Sequence, residues 1–316
     1  MNKNSMAIII LCSHLCAGEN VKPFEPAEWT RLTDKLADNN IQPHELFSFT
    51  HDDFKSKLDF NADETERIKR LADRSGSITF EVEKYANMGI HIMTKADDFY
   101  PNALKKKLGK SCPPIFYYAG NPGIADKKCV GFVGSRNADI NDEKFTVETV
   151  AKINANGFAV VSGGAKGIDS IAAAASIENG NVGIEYISDS LINKIKSKNI
   201  INSVISHRLL ILSAAKPDAG FTTGIAMMRN KLIYAQSDGT VIVKSDFNKG
   251  GTWIGAVGNL NKPLCATFCW NNADYQGNIE LINLGAIAID QTWNGDVLKY
   301  KIEKKDPPEQ LTLFDV

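Results

Sequence analysis

Two short stretches of this chain combine glycine, hydroxyl and cationic residues in a way suited to holding an anion. The first, Gly134-Ser135-Arg136, ends the apolar run 130–133. Glycine lets a ligand approach the backbone, the serine hydroxyl donates a hydrogen bond, and arginine forks onto phosphate oxygens. The second, Ser162-Gly163-Gly164-Ala165-Lys166-Gly167 followed by Ile168-Asp169, ends the apolar run 158–161. Its glycines keep a helix entrance clear of side chains, and the unpaired N–H groups of such an entrance attract anions. Lys166 adds a full charge, and Asp169 is placed to hold the helix start or the loop by hydrogen bonds. Neither stretch reads G-x-G-x-x-G or G-x-x-x-x-G-K-[ST], so neither a dinucleotide fingerprint nor an NTPase loop is indicated. A tight turn carrying a surface arginine would use similar residues. Two such turns on successive strands point instead to an anion site.

Two further stretches carry weaker signals. Helical spacing over 225–233 puts Ile225, Met228 and Leu232 on one face and leaves Arg229, Asn230 and Lys231 elsewhere, which alone reads as a solvated polar face. Lys249-Gly250-Gly251-Thr252-Trp253 is another glycine-rich helix entrance, with Trp253 expected to fill the core. The histidines 14, 44, 51, 91 and 207 form no metal or triad spacing, and no C-x-x-C pair occurs. No metal and no cofactor is expected. Cys12 and Cys16, like Cys265 and Cys269, sit four apart on apolar segments, where buried, reduced thiols are expected.

These residues must be positioned by alternating elements. Runs at 90–94, 115–118, 130–133, 158–161, 182–187, 209–212, 240–243 and 264–268 are nearly continuously apolar, as strands covered on both faces must be. Helical stretches at 142–156, 168–178 and 222–236 lie between some of them. Parallel strands need such crossovers, so the pattern predicts an α/β fold with a doubly wound, mostly parallel sheet. Residues 1–75 read as a small helical accessory domain. Apolar spacing marks helices near Trp29, Leu32 and Leu36 and near Ile68 and Leu71, with Arg67, Arg70 and Arg74 outward. The sheet domain is expected over 76–296, and 297–316 as a flexible tail with an apolar tip.

Lys and Arg total 36 against 37 Asp and Glu, a formal net charge of −1. A nucleic-acid site on such a protein must be a local basic groove, because no global positive field exists. The opening apolar run is too short and too interrupted by His14 for a secretory leader, and no stretch reaches the roughly 18 apolar residues of a membrane span. A cytoplasmic protein without membrane contact is expected.

Taken together and in order, the four glycine- and arginine-bearing stretches resemble the DprA/Smf family of DNA-processing proteins. That family's pattern is V-G-S-R, then S-G-x-A-x-G-I-D, then R-N-x-x-I, then a small-residue helix entrance. Phe99-Tyr100-Pro101, Leu104, Pro113-Pro114 and Gly120 fit its upstream segment, so the resemblance covers roughly 80–290. It implies an extended Rossmann-like domain, homodimeric, that binds single-stranded DNA and helps load a RecA-type recombinase. By the resemblance, the strand contacts Gly134, Ser135, Arg136, Ser162, Gly163, Gly164, Lys166 and Gly167, with Arg229, Asn230 and Lys231 beside them. Three departures mark a divergent branch. The usual arginine of the second loop is Lys166. The A-H pair after G-I-D is Ala172-Ala173. The usual F-P-x-R-N-R becomes Phe221-Thr222-Thr223 with five more residues before Arg229-Asn230. No winged helix follows the sheet, and the pathway served (transformation, repair, mobile elements or phage defence) stays open.

The tail stretch Gln310-Leu311-Thr312-Leu313-Phe314 resembles the short peptide by which bacterial proteins dock the replication sliding clamp. Two alternatives use the same fold. Related Rossmann-like phosphoribohydrolases carry P-G-G-x-G-T-x-x-E; Gly250-Gly251-Thr252 partly matches, yet no acid follows and the nearest is Asp246 upstream. A sensor of a small nucleotide is the other. The leading expectation is a non-enzymatic single-stranded-DNA-binding protein.

Overall fold

The apolar runs assemble into one nine-stranded sheet in the computed structural model of the chain, which describes residues 2–18 and 21–300. The strands are β1 (His91–Thr94), β2 (Ile115–Gly120), β3 (Cys129–Val133), β4 (Ala159–Ser162), β5 (Gly183–Tyr186), β6 (Leu209–Ser213), β7 (Gly239–Ile242), β8 (Ala266–Trp270) and β9 (Ile287–Ile289). Their spatial order is β1-β2-β6-β5-β4-β3-β7-β8-β9. From β6 to β9 every pairing is parallel, whereas β2 runs antiparallel to β6 and β1 antiparallel to β2. The order reverses at β3, which has β4 on one side and β7 on the other. Crossovers therefore diverge there and leave a crevice beyond the carboxyl ends of the strands. The fold is the doubly wound, mostly parallel α/β sheet expected. Strand β9 was not legible beforehand, being three residues long with only Ile289 buried.

The helices are α1 (Lys3–Cys12), α2 (Pro26–Asp38), α3 (His51–Leu58), α4 (Ala62–Ala72), α5 (Ser75–Asn87), α6 (Asn102–Leu108), α7 (Ile140–Ala155), α8 (Ile168–Glu178), α9 (Leu191–Lys194), α10 (Lys198–Ile205), α11 (Thr223–Gln236), α12 (Gly250–Asn261) and α13 (Gln276–Asn283). Period-two alternation sorts the strand side chains onto two faces. Phe116, Tyr118, Leu210, Leu212, Ile184 and Tyr186 join one core beneath α6, α11, α12 and α13. On the opposite face, Val130, Phe132, Val160 and Val241 pack under α7 and α8. The same face at the β1-β2-β6 end carries Ile115, Tyr117, Leu209 and Ile211, which pack with residues of α1 to α5. The N-terminal helices thus share a core with the sheet.

Several local expectations change. The opening apolar run forms α1, with Ala7, Ile9 and Leu11 fully buried. Helical structure continues past residue 75, because α5 presents Ile78 and Tyr85 inward. Arg74 does not point outward: its guanidinium donates to the carbonyls of Ile10, Ser13 and Leu15 at 2.5, 3.4 and 3.0 Å. It thereby satisfies carbonyls that the end of α1 leaves without helical donors. Arg67 turns inward too, bridging Glu28 at 3.0 Å and the Lys22 and Pro23 carbonyls. Cys12 and Cys16 do not share a buried face, since α1 ends between them and Cys16 is exposed at φ +52°. No described helix is long and apolar enough to cross a membrane.

Candidate nucleic-acid interface

A cleft of about 480 Å³ opens at the switch point, where the carboxyl ends of β3 and β7 meet the entrances of α8, α11 and α12. Gly134, Ser135 and Arg136 come from the end of β3, Asp246 and Lys249 from beyond β7, and Arg229 and Asn230 from α11. Its ionic lining is Arg136, Arg229, Lys244 and Lys249 against Asp169 and Asp246, an excess of two positive charges. The lining is thus locally positive although the chain as a whole carries a net charge of −1.

The cations differ in availability. Lys244 is held by Asp142 at 2.8 Å and Asp139 at 3.1 Å, and Tyr275 donates to Asp142 at 2.7 Å. Arg136 and Lys249, both exposed, meet no carboxylate among the described residues. The guanidinium of Arg136 lies 5.6 Å from the ring centre of Phe221, a half-exposed aromatic on the cleft wall. The first turn of α12 begins at Gly250 with no side-chain cap, so its N–H groups face the cleft without one.

Hydrogen bonds stitch the surrounding loops together. Ile168 N–H donates to the Ser135 carbonyl at 3.3 Å, joining the entrance of α8 to the end of β3. Thr252 Oγ1 donates to the Gly134 carbonyl at 3.2 Å, and Asn230 Nδ2 to that of Gly251 at 3.0 Å. Gly167 has φ +86°, and a Cβ there would strike the backbone of Ser135 and Arg136. Only glycine combines that left-handed backbone with so close an approach.

Beneath the cleft, Asp169 organises the second loop. Its Oδ2 accepts from Gly163 N–H at 3.1 Å and its carbonyl from Ser162 Oγ at 3.1 Å. Arg229 Nη1 reaches the same Oδ2 at 3.4 Å, with both side chains buried. A Cβ at Gly163 would occupy the space of that guanidinium. Burial pushes the Asp169 carboxyl up to about 6, against the pull of Arg229. Arg229 is 8% exposed, so the solvated polar face read for 229–231 fails at Arg229, while Asn230 is partly exposed and Lys231 exposed. The helix is rotated to bury Arg229 and Leu232 while Met228 is exposed.

Of the residues singled out in sequence, Gly134, Ser135, Arg136, Arg229 and Asn230 line the cleft together. Ser162, Gly163 and Gly167 are buried under it and shape the loop, and Gly164 packs on Glu185 and Lys194. The loop's Gly163 N–H is directed at Asp169, not at solvent. Lys166 is exposed outside the lining, and Lys231 turns away to donate to Ser111 at 3.1 Å. Gln310, Leu311, Leu313 and Phe314 lie outside the described residues. Lys249, Thr252 and Phe221 also line the cleft though no contact was expected of them; the glycine-rich entrance at 249–252 was the signal for the first two. Trp253 fills the core as expected. Among the described residues no group of three metal-ligating side chains converges.

The sequence profile of the DNA recombination-mediator protein A family matches residues 91–299. The chain belongs to that family. DNA processing protein DprA of Streptococcus pneumoniae is 28% identical over 171 residues, 54% of this chain and 58% of the relative. The Bacillus subtilis protein of the same name is 27% identical over 181 residues, 56% of this chain and 60% of the relative. The chain is thus matched over less than two thirds of the length of either curated relative. The X-ray structure of the S. pneumoniae protein superposes with a TM-score of 0.63 at 21% identity, covering 89% of this chain and 99% of that one. That likeness establishes the Rossmann-like fold. A Helicobacter pylori DprA structure describing a single-stranded-DNA binding mode gives a TM-score of 0.53 at 25% identity, covering 63% of this chain and 90% of that one.

Proposed function

We propose that the cleft holds the backbone of single-stranded DNA and that the protein works as a non-enzymatic mediator of DNA processing and recombination. The observation that carries this reading is the pair Arg136 and Lys249, two exposed cations without a carboxylate partner among the described residues, on one open cleft beside the uncapped start of α12. Fixed cations and backbone N–H groups grip phosphates whatever the base, which suits a general single-strand binder. In this reading Gly134, Ser135, Arg136 and Asn230 touch the strand, Arg229 supports it from below, and the loop 162–167 sets the cleft's shape. Lys166 and Lys231 flank it. Family membership and the H. pylori relative support the same assignment.

A RecA-type recombinase is the partner that would take over the strand, a homodimer would offer two clefts to it, and the tail at 310–314 would tether the protein to the sliding clamp. A hydrolytic reading has less support. Asp169 is engaged by Arg229 and Gly163 N–H, Asp246 is the other carboxylate of the lining, and α12 carries no acid. The test is titration of a fluorescent oligonucleotide across a salt series. Failure of the wild type to bind, or unchanged binding by Arg136→Ala combined with Lys249→Ala, refutes the proposal. Release of free base from nucleoside monophosphates would favour the hydrolase instead.

A further inference from the structure

Arg229 lines two cavities at the carboxyl end of the sheet, one on each side of α11. The second, about 590 Å³, lies between the N-terminal helical layer and the ends of β2 and β6. Pro113, Pro114, Ile115, Ile187 and Leu232 give it buried apolar walls. Two buried polar atoms of its lining residues have no hydrogen-bond partner among the described residues: the Tyr117 hydroxyl and Arg229 Nε. The buried Ser13 hydroxyl lies beside that of Tyr117 and is its natural partner, which leaves the Nε–H of Arg229. That group can only donate, so a partner must bring an acceptor. Lys216 and His14, both exposed, lie at the same cavity.

The partition between the cavities is the first part of α11, Gly224 to Met228. Ile225 and Met228 line the second cavity, while Ala226 and Met227 line the first.

We propose that the second cavity binds a small organic anion with an apolar body of aromatic size, its acidic end accepting from Arg229. Volumes of a few hundred Å³ with apolar walls and few convergent donors are characteristic of such sites. Occupancy neutralises part of the Arg229 charge and competes with Asp169 for its guanidinium, so it weakens strand binding in the first cavity. That coupling rests on the DNA reading of the cleft; the binding site itself does not.

The probe is 8-anilinonaphthalene-1-sulfonate, titrated against the full chain by fluorescence and by calorimetry for stoichiometry. One saturable molecule per chain is expected. Ala215→Trp, which fills the cavity, should abolish binding. Met228→Trp, at a half-exposed wall position that tolerates bulk, should do the same if Ala215→Trp fails to fold. Absence of saturable binding, or equal binding by folded tryptophan variants, overturns the site. In a second arm, oligonucleotide affinity should fall as the probe saturates the wild type and stay constant for Met228→Trp. Constant affinity in the wild type overturns the coupling while leaving the site standing. Failure of the oligonucleotide to bind at all refutes the DNA reading instead.

Discussion

Asp169 Oδ2 and Arg229 Nη1 meet at 3.4 Å across sixty residues of chain, both buried and both beneath the cleft. The pair fixes the second loop from below, because the same carboxylate oxygen holds Gly163 N–H. A buried carboxylate left without its cation is strongly destabilised, by about 3–5 kcal/mol when one partner alone is removed. Arg229→Met should therefore lower stability by an amount of that order at neutral pH. Protonation of Asp169 relieves part of this, so urea denaturation of the variant should show a smaller loss at pH 5 than at pH 8.

The raised carboxyl of Asp169 has its own pH signature. With a folded value of about 6 against about 3.9 for an unfolded aspartate, the folded state binds the proton more tightly. The stabilisation is fully present below about pH 4 and is lost as pH rises through about 6, a change of about 2–3 kcal/mol. Asp169→Asn should flatten the stability profile across that window. A profile of the variant that still falls between pH 4 and 7 as the wild type's does would contradict the assignment.

Phosphate contact predicts a salt dependence. Each single-strand phosphate contact contributes about 0.7 to the slope of log affinity against log salt. Removing both Arg136 and Lys249 should reduce the slope by about 1.4 and weaken binding at low salt by at least about tenfold. Fluorescence anisotropy at four or more salt concentrations reads both quantities.

Gly163→Ala tests whether the second loop acts by shape. The new methyl collides with the Arg229 guanidinium, so overpacking of about 1–3 kcal/mol is expected, with weaker oligonucleotide binding. Lys166→Ala, exposed and outside the cleft lining, should change stability by less than about 0.5 kcal/mol. An equal loss of stability in the two variants would contradict this division.

The tail gives an independent expectation. Replacing Leu311, Leu313 and Phe314 by alanine should abolish capture of the chain on immobilised sliding clamp and leave oligonucleotide affinity unchanged. Equal retention of the variant and the wild type would remove the clamp from the proposal.

The sheet was largely legible because its strands are covered on both faces, so runs such as 130–133 and 209–212 are apolar without interruption. Strand β9 escaped for the opposite reason, lying at an edge with Ile287 only partly covered and Ala288 exposed. The opening run gave no helix signal of its own, because its burial as α1 against α4 and β1 depends on partners that no local pattern records. Arg229 was misplaced for a similar reason. Its burial depends on Asp169, and helical periodicity cannot announce a partner in another crossover. Of the candidate site, the glycines were read as places where a ligand comes close to the backbone. At Gly163 and Gly167, however, the approaching group is the protein's own Arg229 or Ser135.

That last contact has a kinetic meaning. Because Gly167 seats the entrance of α8 directly on Ser135, and Ile168 N–H is bonded to its carbonyl, the two loops are ordered by folding itself. On the proposed reading, an arriving strand need not freeze them. Little conformational entropy remains to be lost on encounter, so association should be governed by diffusion and steering charge, and variation among cleft mutants should fall mainly on how quickly the strand leaves.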